Sequence, residues 1–278
     1  MNYEGVKKIK ILFWNIYKKN PLDVLSEIIV ENELDIVAMV ECENLDVQAL
    51  LNELHKQNYD MQLIQFSPEN SDIKLLAKFG VKVIPKEEKK RFSTYKFWQN
   101  DDLILLTVLH LESALHKEES ARNNKAARIS RQIEKIEDEV YGETERKGIV
   151  IGDFNLQPYS DGIAGIFSFN ATMSIYKAKK KYRESEGEKL LFYFNPIWKL
   201  MGDNVLVQGS YYNSSDSQDK SIFWYSYDSV LLRPYLIDRF NWDNFKYVSE
   251  TENHSLMNKE NINKRDYSDH LPVKFEIM

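Results

Sequence analysis

Ser268-Asp269-His270 runs directly into Leu271-Pro272-Val273-Lys274-Phe275-Glu276-Ile277. The run from Leu271 reads as a strand, so the Asp-His pair stands at its mouth. A carboxylate beside an imidazole is an acid/base and charge-stabilising device. Far upstream, Gly152-Asp153-Phe154-Asn155 holds a similar place at the end of the apolar strand Gly148-Ile149-Val150-Ile151. Two strand ends that each deliver a carboxylate and a second polar group predict one site built from distant segments.

Working outward, the elements alternate. Lys8 to Asn15 reads as a buried strand that the polar Asn15 ends. Pro21 opens a helix, a role suited to proline at a first helical position, with Leu22, Leu25, Ile28 and Ile29 on one face. Leu34 to Val40 is a second buried strand, terminating in Glu41, and Leu50, Leu51 and Leu54 mark a helix over Asp46–Gln57. Strand, helix, strand, helix is the order of a layered α/β domain.

From Asp60 to Leu111 the texture changes to short strands: Met61–Phe66, Ile73–Phe79, Val81–Ile84, Arg91–Trp98 and Leu103–His110. That succession predicts an antiparallel meander. Lys117 to Val140 is the longest helix, with Ile129, Ile133, Ile136 and Val140 at helical spacing. Ile222–Leu232 reads as one strand, and Ser214–Asp219 and Asn253–Asp266 as polar loops. With no repeat or interdomain linker, residues 1–278 are expected to form a single domain.

Composition narrows the function classes. At 278 residues and 43% hydrophobic the chain can bury a large core, and 29% charged residues with 13% aromatics argue against disorder. No apolar run approaches the roughly 18–20 residues that a membrane span needs. Met1–Lys8 holds no signal-peptide core, and the single Cys42 rules out an internal disulfide, so the expectation is a reducing, cytoplasmic setting. The net charge of −6 weighs against a nucleic-acid binder, since phosphate contacts draw on basic surface. The densest basic patch is Lys177, Lys179, Lys180, Lys181 and Arg183.

Six places share one property: a polar residue ends or interrupts an apolar strand. They are Asn15, Glu41, His110, Asp153 with Asn155, Asp228, and Asp269 with His270. Any one of them is an ordinary strand end; together they place carboxylates and imidazoles at the rim of a sheet, where pockets form.

The strings Phe13-Trp-Asn15, Asp35-Ile-Val-Ala-Met-Val-Glu41, Val108-Leu-His-Leu-Glu-Ser113, Gly152-Asp-Phe-Asn155, Tyr227-Asp-Ser-Val-Leu231 and Ser268-Asp-His270 resemble, in order and wording, the endonuclease/exonuclease/phosphatase superfamily. The fold of that superfamily is that of pancreatic deoxyribonuclease. The resemblance implies a four-layer α/β/β/α sandwich with two mixed central sheets. It also implies Mg²⁺-dependent hydrolysis of a phosphoester by in-line attack of water, with Mn²⁺ as a substitute.

Residue by residue, Glu41 would be the principal metal ligand, with Asn15 and Asp269 completing its environment. Hard divalent cations take such oxygen donors. Asp153 would orient and deprotonate the water, and Asn155 would hold the water or the phosphate. His270 would donate to a non-bridging oxygen, fixed and kept cationic by Asp228, and His110 would protonate the leaving oxygen or bind phosphate. Arg128, Arg131 and Gln132 on the long helix are further candidates. Cys42 is expected to pack behind Glu41, and His55, His116 and His254 to lie at the surface.

Within the superfamily, His110-Leu-Glu-Ser113 is similar to the tyrosyl-DNA phosphodiesterase branch, whereas Val40-Glu41-Cys42 stands where that branch has a Gln-Glu pair. The leading substrate is a nucleic-acid phosphodiester, favoured by the lysine patch and by aromatics around 192–234. Its competitor is a small phosphoester such as an inositol, sugar or lipid head-group phosphate. A non-catalytic phosphate-binding module is the third reading. Substrate choice is expected to reside in 160–220 and 253–266, and no partner protein is implied.

Overall fold

The computed structural model describes residues 8–66, 72–113, 118–202, 207–215 and 221–278. In chain order, β1 (Ile9–Asn15), α1 (Leu22–Glu31), β2 (Ile36–Val40) and α2 (Val47–Lys56) open the fold. Then come β3 (Met61–Leu63), β4 (Ile73–Lys78), β5 (Val83–Lys89), β6 (Phe92–Gln99) and β7 (Asp102–His110). The long helix α3 (Glu119–Tyr141) leads into β8 (Gly148–Asp153). The short β9 (Ala171–Thr172) and β10 (Tyr193–Phe194) precede β11 (Asp228–Leu232), β12 (Lys246–Tyr247) and β13 (Val273–Ile277).

These strands make two mixed sheets, in the orders β12-β13-β1-β2-β4-β3 and β5-β6-β7-β8-β11-β10-β9. The period of two in a strand explains how the second sheet is buried on both sides. Ile104, Leu106, Val108, Ile149, Ile151, Val230 and Leu232 point into the core shared with β1, β2, α1 and α2. Their alternates Leu105, Leu109, Val150 and Leu231 pack against Ala126, Ile129, Ile133 and Ile136 of α3. The layers are therefore helix, sheet, sheet, helix, as the family resemblance implies. No described helix is long and apolar enough to cross a membrane.

Register decides where the polar strand ends go. β7 and β8 run parallel with His110 opposite Asp153, and antiparallel β11 places Asp228 opposite Asp153. In the first sheet Asn15 pairs with Val40, and Val40 with Ile73. Asn15, Glu41 and Asp72 thus reach one rim, and antiparallel β13 starts from that rim just after His270. Gly152 is required by close approach: a Cβ there would sit 2.0 Å from the Leu109 carbonyl oxygen.

Several expected elements differ. The Ile222–Leu232 run is two strands, because Trp224–Tyr225 pairs with Tyr211–Tyr212 in a separate ribbon. Phe154 N–H then takes the Tyr227 carbonyl, so the chain joins the large sheet only from Asp228. Val81–Ile84 is displaced to Val83–Lys89, and Asn253–Asp266 contains a hairpin, Met257–Asn258 with Asn261–Ile262. His116, Lys117 and 216–219 lie outside the described residues.

Candidate active site

His270 is the most constrained of the rim residues. Its carbonyl accepts from Trp14 Nε1 at 2.9 Å, and its N–H donates to Ser268 Oγ at 3.0 Å. Ser268 Oγ in turn donates to the Asn15 carbonyl at 2.6 Å, so the Ser-Asp-His turn is bound to β1. The imidazole Nδ1 meets Asp228 Oδ2 at 2.6 Å, which leaves Nε2 facing Asp153 Oδ2 and Asp269 Oδ1, each 3.9 Å away. Burial by itself would depress the imidazole. The carboxylates of Asp228 and Asp153 and the Asp228 hydrogen bond outweigh it, and His270 is pushed up to about 10.

That coupling carries a sign. A histidine raised from 6.5 to about 10 adds stability that is complete below pH 6.5 and is lost as pH climbs through 10. Asp228→Asn removes the largest attraction while keeping a hydrogen-bonding side chain. The expected outcome, in an NMR titration of metal-free protein, is a lower His270 midpoint. An unmoved midpoint would show that Asp228 does not hold the proton on this ring.

His110 is built the same way from the other direction. Its Nδ1 lies 2.9 Å from Asp72 Oδ2, and its Nε2 lies 3.6 Å from Glu41 Oε1 and 4.0 Å from Asp153 Oδ2. Burial opposes the charged ring, but Asp72, Asp153 and Glu41 raise it overall. The Asp72 carboxyl moves the opposite way: burial would raise it, and the His110 hydrogen bond and charge bring it below its usual range. Asp72 also accepts from the Glu41 N–H at 3.3 Å, so one side chain positions both residues.

Asp153 sits between the two histidines, 1% exposed. Burial pushes its carboxyl up and the Asp228 charge adds, partly offset by His270 and His110. Its Oδ2 accepts from Asn15 Nδ2 at 3.1 Å and Asn155 Nδ2 at 3.0 Å, and its Oδ1 from the Asn155 N–H at 2.8 Å. Glu41 and Asn155 both adopt left-handed backbone, φ 54° and 49°, a conformation that costs most residues energy and clusters at functional sites. Arg122 donates to the Asn155 carbonyl, holding that turn in place.

The donor set fits a hard divalent cation. Asn15 Nδ2 also donates to Glu41 Oε1 at 3.2 Å, bringing an amide and a carboxylate together. Asp269 Oδ1 is buried with no hydrogen-bond partner among the described residues, and burial followed by the Glu41 charge raises its carboxyl. Two carboxylates that repel each other beside oxygen-bearing side chains suit Mg²⁺ or Mn²⁺. Asp153, Asp228 and His270 also present ligand atoms within 4.8 Å of one another. There the Asp228–His270 hydrogen bond uses Asp228 Oδ2 and His270 Nδ1, while Asp228 Oδ1 is buried with no hydrogen-bond partner among the described residues.

A cleft of about 1150 Å³ opens over these groups. Lys90 and Arg91 from the β5–β6 turn line it, as do Lys18, Lys264, Arg265 and the aromatic side chains Tyr211 and Tyr227. The Tyr211 ring lies 5.0 Å from the His270 imidazole.

Compared with solved structures, the chain resembles TDP2 from Caenorhabditis elegans at 14% identity and a TM-score of 0.60, covering 100% of this chain and 77% of that one. It resembles an endonuclease/exonuclease/phosphatase from Bacteroides vulgatus at 19% identity and 0.55, covering 98% and 99%. The chain has the fold of the endonuclease/exonuclease/phosphatase superfamily. TDP2 from D. rerio, complexed with a single-strand DNA product, matches at 14% identity and 0.56, over 98% and 99%. No family model matches the sequence, and a comparison with curated proteins finds no match.

On this superfamily fold the structure brings together all eight expected residues: Asn15, Glu41, His110, Asp153, Asn155, Asp228, Asp269 and His270. Arg128, Arg131 and Gln132 are exposed, and the helix instead presents Arg122 to the site. Cys42 is buried, and burial raises its thiol. None of the lysine patch lines the cleft; Lys179 pairs with Asp238 and Lys181 with Glu145. Asp72 and Arg122 escaped the sequence reading. Asp72 precedes an apolar strand and Arg122 belongs to a charged helix, positions where polar residues are routine.

Proposed function

We propose that the chain is a divalent-cation-dependent phosphoester hydrolase, with a nucleic-acid phosphodiester as the leading substrate. The observation that carries the reading is the pair of carboxylate-anchored imidazoles, His270 on Asp228 and His110 on Asp72, whose Nε2 atoms flank Asp153. Glu41, Asp269 and Asn15 would hold the cation, and when bound it supplies charge neutralisation at a phosphate oxygen.

Asp153 takes a proton at Oδ2 from the attacking water, a task suited to a carboxyl raised by burial. Asn155 and Asn15 keep that oxygen oriented. His270, protonated at neutral pH, donates Nε2–H to a non-bridging oxygen as charge builds there. His110 gives its proton to the leaving oxygen as the phosphorus–oxygen bond breaks. Asp72→Asn should reduce turnover about 10²-fold, within the range of a positioned general acid, and lower the His110 midpoint in the same NMR titration. Unchanged turnover would remove His110 from the proton path.

Support for a nucleic-acid substrate comes from Lys90, Arg91, Lys264 and Arg265 around the cleft and from the DNA-bound structural neighbour. The net charge of −6 favours the second reading, a small phosphoester. The deciding experiment is cleavage of supercoiled plasmid and single-stranded DNA and RNA with Mg²⁺ or with chelator. Asp153→Asn controls for contaminating nuclease. Metal-dependent cutting that the variant lacks is expected. Hydrolysis confined to small phosphoesters would select the second reading, and no turnover by folded protein on either class would overturn both.

A further inference from the structure

A second, smaller pocket of about 230 Å³ adjoins the cleft and shares Lys264, Arg265 and Asp269 with it. Its remaining wall includes Tyr212, Ser214, Asn258 and Asn261. The two asparagines flank the turn of the Met257–Asn258/Asn261–Ile262 hairpin, which is anchored through the buried Ile262 and the Asn263 N–H to Leu256 carbonyl bond of 2.8 Å. Asn258 Nδ2 donates to Asn263 Oδ1 at 3.2 Å, which fixes that amide, and among the described residues nothing donates to its side-chain oxygen. Among the described residues the Asn261 amide group has no hydrogen-bond partner. Tyr212 is held edge-on to Trp224, ring centroids 5.1 Å apart.

We infer that this pocket receives one unpaired nucleobase next to the phosphate that is cut. The inference rests on the hydrolase reading above and names the part of the substrate that sets its selectivity. An amide presents a donor and an acceptor in one plane, the pattern that matches a base edge. A tyrosine ring gives the base a surface to pack on. Lys264 and Arg265, at the junction of pocket and cleft, suit the phosphate attached to the same nucleotide. The volume admits a single ring system, and a base whose pairing edge meets these amides has that edge unavailable to a partner strand, so it must leave any duplex to enter.

The test uses the full chain with Mg²⁺ and 4-nitrophenyl esters of nucleoside 5′- and 3′-monophosphates, each beside its abasic deoxyribose counterpart. In at least one polarity the base-containing ester should react about 10-fold faster in kcat/KM, with one base preferred. Asn261→Ala, which removes no bond of the hairpin, should collapse that ratio toward one, and Asn258→Ala should do the same. Equal rates for base-containing and abasic esters would overturn the inference and leave the hydrolase reading intact. No hydrolysis of any ester or polynucleotide would overturn both. A polyol monophosphate turned over faster than every nucleotide ester, and slowed by Asn261→Ala, would replace the base with a sugar ring.

Discussion

Replacing His270 by alanine is expected to lower kcat by about 10²–10³-fold with little change in KM, the loss typical of one donor aimed at developing negative charge. The argument is geometric before it is electrostatic. Nδ1 is committed to Asp228 at 2.6 Å, so Nε2 is the only ring nitrogen free to face the cleft. The ring is raised to about 10, hence its proton is in place across neutral pH. Steady-state kinetics on a metal-loaded diesterase assay would check it, alongside circular dichroism to confirm folding. A variant that folds and retains more than a tenth of wild-type kcat would take His270 out of the chemistry. The Trp14 and Ser268 bonds to the His270 backbone do not need the imidazole, so the turn should survive the change.

Arg233→Met is expected to destabilise the fold by about 3–5 kcal/mol, because it strands a buried carboxylate. Arg233 is 1% exposed at the end of β11, and its Nε and Nη2 reach Glu137 of α3 at 3.0 and 2.6 Å. Its Nη1 donates to the Phe192 carbonyl at 3.2 Å, and its guanidinium lies 3.7 Å from the Tyr193 ring centroid. Glu137 Oε1 also accepts from Tyr193 OH at 3.2 Å. This network ties the outer helix to the second sheet, the sheet that carries His110, Asp153 and Asp228. The double change Arg233→Met/Glu137→Met removes both members of the buried pair, leaves Arg146 its Asp138 partner and frees the half-buried Glu134 toward solvent, and should recover most of the loss. Urea unfolding of wild type, single and double variants measures both quantities. A double variant as unstable as the single one would show that the cost lies in packing instead of the abandoned charge.

The alternating α/β order was legible because its first strands carry long apolar runs, whereas the four-layer arrangement was implied by the family resemblance. Ile11–Trp14, Ile36–Val40 and Gly148–Ile151 leave no polar face for solvent, so helices had to cover them. The ends of those strands were legible for the same reason: a polar residue after an apolar run is conspicuous. Residues 222–232 were misread because Phe223, Trp224 and Tyr225 have strand propensity, yet the switch to another sheet depends on pairing with Tyr211–Tyr212. Propensity reports that a residue suits a strand; it does not say which neighbour the strand takes.

The site divides along the same line. Identity and strand-end position single out Asn15, Glu41, His110, Asp153, Asn155, Asp228, Asp269 and His270 in the one-dimensional chain, since each breaks an apolar pattern. Their partners do not follow from the chain. His110 on Asp72, His270 on Asp228 and Arg122 on the Asn155 carbonyl join residues 38, 42 and 33 positions apart. The dense lysines of 177–181 drew attention by composition, whereas the scattered Lys18, Lys90, Arg91, Lys264 and Arg265 are the Lys and Arg residues that line the cleft among the described residues. The amino-acid sequence by itself determined which residues are apolar enough to form the sheets and which polar groups end them. Only the tertiary structure decided the register that aligns His110, Asp153 and Asp228, and with it the proton positions and basic rim of the cleft. Long-range pairing is a property of two segments meeting, and no local pattern in either one contains it.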